Sequence, residues 1–301
     1  MIKALFEKFS GFLRSRELFS NWVSAAVHYL LTNPSVLYRR ASNFTTDFGD
    51  KCINVDCRSG GRVCINPAVY GYVVRGFSLG FIREVQCDER NNTLVINGLS
   101  LPKFKRFYRS IMEVFVSREY EFINVRGRVV VDVGAFVGDS AIYFVLRGAR
   151  RVYAIEPHPG AYAEMLENIK LNNMEDRIIP INAALGSKPG KIKIPNINVY
   201  NTIDTYHGPG GNGDIEVQMI TLEQLIRDYN VEPEVLKMDC EGCEFDIILN
   251  DYEHVKLFDE LGFEYHERVG HKLTELLSKL NNDYECRTIS GSGLIHCVKL
   301  N

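Results

Sequence analysis

The nine residues Asp132 to Ser140, DVGAFVGDS, carry most of the information about the fold of this chain. They follow the apolar run Val129 to Val131 and precede the apolar segment AIYFVLRG, so we predict a buried strand that turns directly into a helix. Gly134 lets the chain leave the strand abruptly, and Gly138 removes a side chain where a ligand or another backbone segment must come close. The first turn of the helix offers free N–H groups, as nucleotide-binding turns do.

The spacing of the two glycines separates two classes of nucleotide cofactor. A dinucleotide site has the pattern G-x-G-x-x-G, whereas this loop has D-x-G-x-x-x-G. The loop therefore resembles motif I of the S-adenosylmethionine-dependent methyltransferases, whose cofactor has no pyrophosphate. The resemblance implies that seven residues of the loop form the cofactor site: Asp132, Gly134, Ala135, Phe136, Gly138, Asp139 and Ser140.

An acidic residue ends the next predicted strand. Val152 to Ile155 are apolar, and Glu156 follows them 22 residues after Gly134. An acid at this point can accept hydrogen bonds from both ribose hydroxyls, as in dinucleotide folds. We therefore predict that Glu156 and the adjacent Pro157 belong to the cofactor site. A tight turn and a solvated strand end would explain each feature alone, but not their occurrence together in register.

Length and charge indicate two parts. The 301 residues can bury a large core, and 46% of them are hydrophobic. Residues 1 to 120 have a net charge of +7 and residues 121 to 301 a net charge of −10. We predict a mixed α+β accessory region over residues 1–120 and a methyltransferase domain over residues 121–301. No apolar segment is long enough to span a bilayer and no secretory signal is evident, so we expect a cytoplasmic protein.

The accessory region has short elements. Apolar residues at three-to-four spacing predict helix over the first 43 or so residues. A hairpin is predicted around Gly60 and Gly61, then a strand ending at Gly98. A helix is predicted from Lys103 to Val116.

From residue 128 onward, strands and helices alternate, which predicts a mostly parallel sheet covered on both faces. Helices are expected at 160–173 and 222–229, the second with a capping box formed by Thr221 and Gln224. The chain ends in an antiparallel hairpin around the segment GSG. The five parallel strands are placed near residues 129–133, 151–155, 178–182, 235–239 and 261–266. This order predicts an α/β fold with the Rossmann-like, seven-stranded sheet of class I methyltransferases.

Carboxylates follow the fourth predicted parallel strand, in the segment LKMDCEGCEFDIIL. Asp239, Glu241 and Glu244 would lie at the carboxyl edge of the sheet, beside the methyl donor. Such residues can orient or deprotonate an acceptor, or hold a divalent metal with further ligands. Alternatively, Glu241 and Glu244 stabilise the N-terminus of the next helix.

The fifth parallel strand brings Glu264 and His266 to the same edge, on one face of the strand. A histidine next to a carboxylate is a candidate proton acceptor, although it is also an ordinary surface residue type. The predicted catalytic residues are thus Asp239, Glu241, Glu264 and His266. Because no recognised metal-ligand spacing occurs, no metal is expected. Tyr206 and His207, in the Gly-rich excursion 186–220, are candidates for contact with the acceptor.

The eight cysteines do not form paired C-x2-C motifs, so a structural zinc site is not supported. We expect buried free thiols. Cys240 and Cys243 form a C-x-x-C motif without the context of a redox site, and packing explains them. Cys286 and Cys297 would face each other across the terminal hairpin, where a disulfide is geometrically possible.

Four segments together are similar, in order and spacing, to the FkbM-type methyltransferases over roughly residues 118 to 300. They are VVVDVGAFVGDSAIYFVLRGARRVYAIEPHP, NAALGS, ITLEQLI and LKMDCEGCEFDIIL. The resemblance implies that S-adenosyl-L-methionine is the cofactor and that a hydroxyl oxygen on a sugar or natural-product-like molecule is methylated. It also implies that Asn182 and Ala183 lie beside the adenine.

Two other functions stay open. The first is RNA methylation on nitrogen or oxygen: no Asn-Pro catalytic tetrapeptide follows the fourth strand, but basic and aromatic residues alternate from Lys103 to Arg109. The second is a non-catalytic binding protein with the same fold, against which the intact glycines and acids argue. We expect a small-molecule or glycan acceptor rather than nucleic acid. The basic segment would suit an acidic acceptor or peripheral contact with an anionic membrane, and oligomeric state is left open.

Overall fold

The computed structural model describes residues 13–32, 52–106, 108–196, 215–266, 271–289 and 293–300. The chain divides into two compact units, Met1–Arg118 and Glu119–Asn301. Each unit is described separately below. The predicted acceptor contacts Tyr206 and His207 lie outside the described residues.

In its described residues, the first unit contains three α-helices and two small antiparallel sheets. The predicted hairpin is present, and Gly60 and Gly61 both adopt positive φ in its turn. The strands of this unit are β1 (Ile53–Asp56), β2 (Arg62–Ile65), β3 (Val85–Asp88), β4 (Thr93–Ile96) and β5 (Leu99–Ser100). Strands β1 and β2 form a two-stranded sheet, and the other three form a sheet with the order β3-β4-β5. Its helices are α1 (Trp22–Thr32), α2 (Pro67–Ser78) and α3 (Arg109–Phe115), and a 3₁₀ turn spans Ser15–Glu17.

One helix prediction in this unit needs correction, and one helix was not predicted. The helix predicted from Lys103 begins only at Arg109, because the chain is still extended at the N-cap residue Tyr108. Helix α2 was not predicted, because Gly71 and Gly76 weaken its helical pattern. The structure explains both glycines: a Cβ at Gly71 would lie 2.4 Å from the Tyr29 hydroxyl, and one at Gly76 would lie 2.5 Å from the Val116 side chain.

The second unit is built on a seven-stranded sheet with the order β14-β15-β13-β12-β6-β7-β8. All pairings are parallel except those of β15, which is antiparallel to both of its neighbours. The strands are β6 (Val129–Val133), β7 (Arg151–Ile155), β8 (Ile178–Ile181), β12 (Val235–Met238), β13 (Glu260–Glu264), β14 (Tyr284–Thr288) and β15 (Leu294–Lys299). This order and the single antiparallel strand are those of the class I methyltransferase sheet, which confirms the predicted fold.

The helices of this unit cover the sheet. They are α4 (Asp139–Leu146), α5 (Pro159–Leu171), α6 (Leu222–Tyr229), α7 (Cys243–Asn250), α8 (Tyr252–Val255) and α9 (Leu273–Leu280). The predicted capping box at the start of α6 is present, with Thr221 and Gln224 bonded reciprocally. A separate sheet combines β9 (Ala184–Leu185), β10 (Gly190–Ile194) and β11 (Ile215–Ile220). Across the described parts of the chain, no helix is both long and apolar enough to cross a membrane.

The core lies on both faces of the central strands. Every residue of β6 and of β12 is buried. Aromatic side chains such as Phe258 and Phe263 pack into the main cluster. Apart from Asp132 in β6 and Lys237 in β12, these two strands are apolar, and other polar side chains follow where the parallel strands end. The candidate site is therefore formed at the carboxyl edge of this sheet.

The prediction of free thiols is wrong, because all eight cysteines form disulfides. The pairs are Cys52–Cys64, Cys57–Cys87, Cys240–Cys243 and Cys286–Cys297. Cys286 and Cys297 are directly opposite in the register of β14 and β15, as the hairpin suggested. Cys57 and Cys87 come from different hairpins, and spacing along the chain does not reveal such a pair. The Cys240–Cys243 disulfide closes the turn between β12 and α7, so these residues are not merely packing residues.

Candidate functional site

The glycine loop between β6 and α4 is packed too closely to accept side chains at its two glycines. Gly134 has φ +76°, and a Cβ there would lie 1.9 Å from the backbone oxygen of Asp239. Gly138 has φ +85°, and its Cβ would lie 2.9 Å from Cγ of Met165. The N–H groups of Gly134 and Ala135 both donate to the Ile155 carbonyl at 3.0 Å. The loop is thereby fixed between the ends of β7 and β12.

Glu156 lies beside this loop and is buried. Its carboxylate accepts hydrogen bonds from the backbone N–H groups of Phe136, at 2.9 Å, and His158, at 2.7 Å. Burial raises the pKa of Glu156 to about 8, although the two backbone hydrogen bonds and the charge of Lys237 oppose the shift. The acid predicted to hold the ribose is thus bonded to the loop predicted to contact the cofactor.

Asn182 and Ala183 complete this edge of the sheet, directly after β8. The Asn182 side-chain amide donates to the carbonyls of Glu156, at 2.8 Å, and Pro157, at 3.1 Å. Asn182 is exposed, whereas Ala183 is buried. The structure therefore brings together the four predicted residues that follow β7 and β8.

Asp132, Asp139 and Ser140 are all buried, as Glu156 is. The Ser140 hydroxyl donates to Oδ2 of Asp132 at 2.6 Å, and the Ser140 N–H donates to Asp139 at 3.0 Å. These contacts hold the start of α4 against the end of β6. That the three residues also contact the cofactor remains a prediction.

Lys237 is a site residue that the sequence analysis missed. It is buried in β12, and its Nζ lies 2.9 Å from Oδ1 of Asp132 and 3.1 Å from the Gly134 carbonyl. Burial lowers the pKa of Lys237, but the charges of Asp132 and Asp239 outweigh this effect and raise it overall. The sequence gives one indication of this role, which is a lysine inside an otherwise apolar strand. Because a buried charge needs a partner, such a lysine indicates an ion pair inside the protein.

At the neighbouring edge, His266 lies among carboxylates. Its backbone N–H donates to Glu244 at 3.0 Å, and its Nδ1 lies 3.5 Å from the same carboxylate oxygen. Its Nε2 lies 3.4 Å from Glu241 and 4.0 Å from Glu264. The hydrogen bond to Glu244 and the nearby negative charges raise the pKa of His266 to about 9, against the opposing effect of burial.

Glu264 and Glu244 differ in their surroundings. Burial and the charge of Asp239 raise the pKa of Glu264 to about 7, although His266 opposes the shift. Glu244 is fully buried and also accepts a hydrogen bond from the Gly242 N–H at 2.9 Å. Glu244 thus fixes the turn after β12 and the segment after β13 in the same place. The sequence suggested its position at the start of α7 but not this link to His266.

Among the residues that the structure describes, two groups of side chains have donor atoms close enough to hold a metal ion. In the first, one ligand atom each of Asp239, Glu241 and His266 lies within 4.8 Å of the others. The second combines Glu244 with Cys240 and Cys243, whose thiols are joined in a disulfide. The absence of a metal therefore stays a prediction, and the first group is where an ion would bind.

Tyr120 is a second residue that the sequence analysis missed. Its hydroxyl donates to Oδ2 of Asp239 at 2.7 Å, across 119 positions of the chain. It precedes the first strand of the sheet and belongs to no motif, so the sequence carries no signal for this contact.

Comparison with known proteins identifies the family. The model of the FkbM methyltransferase domain matches residues 132–284, which include the glycine loop, Glu156 and the acidic edge. The chain belongs to the FkbM methyltransferase family. Its cofactor is accordingly S-adenosylmethionine.

Individual relatives match more limited parts. Methyltransferase sdnD of Sordaria araneosa is 23% identical over 192 residues, which cover 52% of this chain and 74% of that protein. Protein arginine N-methyltransferase 6 of Danio rerio is 42% identical over 62 residues, 21% of this chain. This chain spans 18% of the length of that relative.

Solved structures also resemble the chain. Among them is M. jannaschii TYW2 in complex with AdoMet, which is 20% identical with a TM-score of 0.34. The match covers 71% of this chain and 83% of that one. Another is M. capricolum TrmK in complex with S-adenosylhomocysteine, which is 12% identical with a TM-score of 0.36 and matches 65% of this chain and 68% of that one.

The residues at the loop edge fit the cofactor of the family. A Cβ at Gly134 would fill the narrow space against Asp239, so the loop is shaped by close approach. A carboxylate can accept more hydrogen bonds than the two that Glu156 receives from the backbone. Two ribose hydroxyls can use that remaining capacity.

Proposed function

We propose that this protein is an S-adenosylmethionine-dependent methyltransferase that methylates a hydroxyl oxygen on a sugar or natural-product-like small molecule. One observation carries the proposal: half-buried acid–base side chains lie beside the glycine loop, at the ends of β12 and β13. Gly134 of that loop approaches the backbone of Asp239, so the candidate donor and acceptor positions are adjacent. The acid–base group consists of Asp239, Glu241, Glu264 and His266.

In this proposal Glu156 holds the ribose, the loop from Gly134 to Gly138 lies against the cofactor, and Asn182 and Ala183 border the adenine. When bound, S-adenosylmethionine supplies an electrophilic methyl carbon, whose bond to sulfur breaks as the bond to the acceptor oxygen forms. The electron pair stays on sulfur, and the acceptor must lose one proton. The protein therefore has to align the acceptor and take that proton.

In this proposal, Glu264 is the general base that accepts the proton from the acceptor hydroxyl. A general base works best when its pKa is close to the operating pH, because it is then both ionised and sufficiently basic. With a pKa of about 7, Glu264 meets this condition better than an ordinary glutamate does. Asp239 contributes in two ways: it accepts a hydrogen bond from the acceptor hydroxyl, and its charge raises the pKa of Glu264.

His266 has a different role in this scheme. With a pKa of about 9, its imidazole is protonated at neutral pH and has to lose a proton before it can act as a base. As a cation held by Glu244, it instead stabilises the carboxylates of Glu241 and Glu264 in close proximity. The sequence-based suggestion that His266 accepts the proton remains a prediction, restricted by this physics to alkaline conditions.

The charge of the acceptor edge favours a neutral acceptor. Asp239, Glu241 and Glu264 outnumber the two cations beside them, His266 and the buried Lys237, so the edge repels an anionic group near the reacting atom. RNA would have to bring phosphates toward these carboxylates. A sugar or polyketide-like hydroxyl brings no such charge, which supports the small-molecule assignment over the RNA alternative.

The test uses the full chain and methyl-labelled S-adenosylmethionine, incubated with small-molecule, glycan and RNA fractions of a cell extract. We expect label in the small-molecule or glycan fraction, as an ether that survives mild alkali, whereas methyl esters do not. Glu156→Ala should remove the transfer. Glu216→Gln, an exposed change on β11, should retain it. Label confined to RNA would overturn the proposed acceptor.

A further inference from the structure

Tyr120 is fully enclosed beside the candidate acceptor site. Its side chain is 2% exposed, and its hydroxyl donates to Oδ2 of Asp239 at 2.7 Å. A tyrosine hydroxyl that faces a carboxylate donates the hydrogen bond, because an ionised carboxylate can only accept.

The aromatic ring is held in place from the buried side. The ammonium group of Lys237 lies 5.1 Å from the ring centroid, and the Phe144 ring packs at 6.0 Å. Lys237 is in turn fixed by Asp132 at 2.9 Å. Because these contacts involve the ring rather than the hydroxyl, they position the hydroxyl without depending on Asp239.

The backbone of Asp239 is also fixed. Its N–H donates to the Val133 carbonyl at 3.0 Å, and its own carbonyl lies against Gly134. The side-chain torsions are then the main freedom left to the carboxylate. Tyr120 removes that freedom by binding Oδ2, while Oδ1 accepts no hydrogen bond from any described residue.

We propose that Tyr120 is a positioning residue for methyl transfer, which holds Oδ2 of Asp239 so that Oδ1 is directed to the acceptor hydroxyl. This role rests on the proposed function, which gives Asp239 an acceptor to orient. Tyr120 thus acts through Asp239 and does not itself touch the acceptor. Charged groups around Asp239 are Lys237 on its own strand, Glu241 after it, and Glu264 and His266 from β13 and the segment that follows.

The structural test compares crystal structures of the wild type and Tyr120→Phe, each with S-adenosylhomocysteine. The phenylalanine ring keeps its packing against Lys237 and Phe144 and loses only the hydrogen bond. We expect an unchanged loop backbone and an Asp239 carboxylate that turns or occupies two orientations. A single, unmoved carboxylate in the variant would overturn the proposal, whether or not an acceptor is known.

The kinetic test measures transfer of labelled methyl groups into whichever extract fraction the wild type labels. At saturating S-adenosylmethionine, Tyr120→Phe should lower the rate roughly tenfold to a hundredfold, the range expected when a reacting group is misplaced. Cofactor affinity, measured by calorimetry, should stay unchanged. When Asp239→Asn is already present, adding Tyr120→Phe should lower the transfer rate little further, because both substitutions remove the same contact.

The matched control is Tyr153→Phe, another buried tyrosine, whose hydroxyl donates to the Tyr229 carbonyl at 3.3 Å away from the site. It should lower stability without lowering transfer. Equal losses of rate in both tyrosine variants, or full additivity with Asp239→Asn, would contradict a positioning role. If the wild type labels no fraction, the proposed function fails, and the crystallographic comparison still decides whether Tyr120 orients Asp239.

Discussion

The two edges of the candidate site use similar residues in opposite ways. At the cofactor edge, Glu156 is buried and bonded to two backbone N–H groups. At the acceptor edge, Glu241, Glu264 and His266 are partly exposed, and their side chains lie 3.4 to 4.0 Å apart, beyond good hydrogen-bond geometry. The first arrangement is rigid, as binding of one fixed ligand requires. The second keeps Glu264 with a pKa of about 7, which suits proton transfer near neutral pH.

This contrast follows from burial. A fully enclosed carboxyl must be satisfied by the protein or lose its charge, so the backbone forms around Glu156. A half-buried carboxyl keeps access to water and feels its neighbours strongly, so the pKa of Glu264 follows the charge of Asp239. Changes at the cofactor edge should therefore affect stability and cofactor binding together, whereas changes at the acceptor edge should affect transfer and leave cofactor binding intact.

The largest effect is expected for Gly134→Ala. The added Cβ would lie 1.9 Å from the Asp239 oxygen, so either the loop or the end of β12 must move. We expect the free energy of unfolding to fall by roughly 3 kcal/mol or more, combining overpacking with a strained positive φ. Calorimetry should detect no binding of S-adenosylhomocysteine.

Gly127→Ala is the matched control for this change. Gly127 has φ +73°, close to that of Gly134, but nothing lies within 4 Å of its added Cβ. It should cost only about 1 to 2 kcal/mol, from the left-handed backbone, and leave cofactor binding intact. Equal losses in the two variants would show that close approach is not what the glycine of the loop provides.

Glu156→Gln should change the pH dependence of stability. Because the pKa of Glu156 in the folded protein, about 8, lies above its ordinary value of 4.5, the native state holds the proton more tightly. The contribution of Glu156 to the free energy of unfolding is therefore fully present below about pH 4.5 and is lost as the pH rises to about 8. Relative to the variant, the wild type should lose about 5 kcal/mol over that interval.

Above about pH 8, where the Glu156 carboxyl is ionised, the same variant should bind S-adenosylmethionine roughly tenfold to a hundredfold more weakly, because it loses charge-assisted hydrogen bonds to the ribose. Urea unfolding at several pH values and calorimetry supply the two measurements. Glu223→Gln, an exposed change on α6, serves as the control for both. Parallel stability curves for wild type and Glu156→Gln would contradict the burial argument, and unchanged affinity would remove Glu156 from the cofactor site.

Removing the Cys240–Cys243 disulfide should separate the two edges. The double change of both cysteines to serine opens the turn that carries Asp239 and Glu241, with a stability loss of about 2 kcal/mol for so short a loop. Methyl transfer should fall, while cofactor affinity should stay within about twofold. The same change at Cys286 and Cys297, between β14 and β15, should lower stability without affecting transfer. Retained transfer in the first variant would mean that the turn needs no covalent closure.

The smallest effect concerns the pH profile. If Glu264 takes the proton, transfer rises with pH through about 7, the pKa of Glu264. Asp239→Asn removes a negative charge that raises this pKa, so the acid limb of the remaining activity should move to lower pH, by on the order of one pH unit. Asp228→Asn, an exposed charge removal on α6, should leave the profile in place. An acid limb that does not move would assign the proton to another group.

Much of the central sheet could be predicted because local patterns decide it. Most parallel strands are largely apolar runs bounded by polar residues or glycine, and the capping box before α6 lies within four consecutive residues. The accessory region was harder to predict. In α2, Gly71 and Gly76 weaken the helical pattern. Their lack of a side chain allows close contact with Tyr29 and Val116, and residues so distant in sequence cannot be identified from the local pattern.

The sequence by itself determined the glycine loop, Glu156 and the acidic edge, since strand ends in a parallel sheet meet at one edge whatever the side chains do. Tertiary structure alone decided what those groups contact: Lys237 with Asp132, Tyr120 with Asp239, and Glu244 with His266. It also decided that the cysteines are paired. The physical reason is that motif spacing fixes position along the chain, whereas charge state and hydrogen bonding depend on burial and on residues distant in sequence.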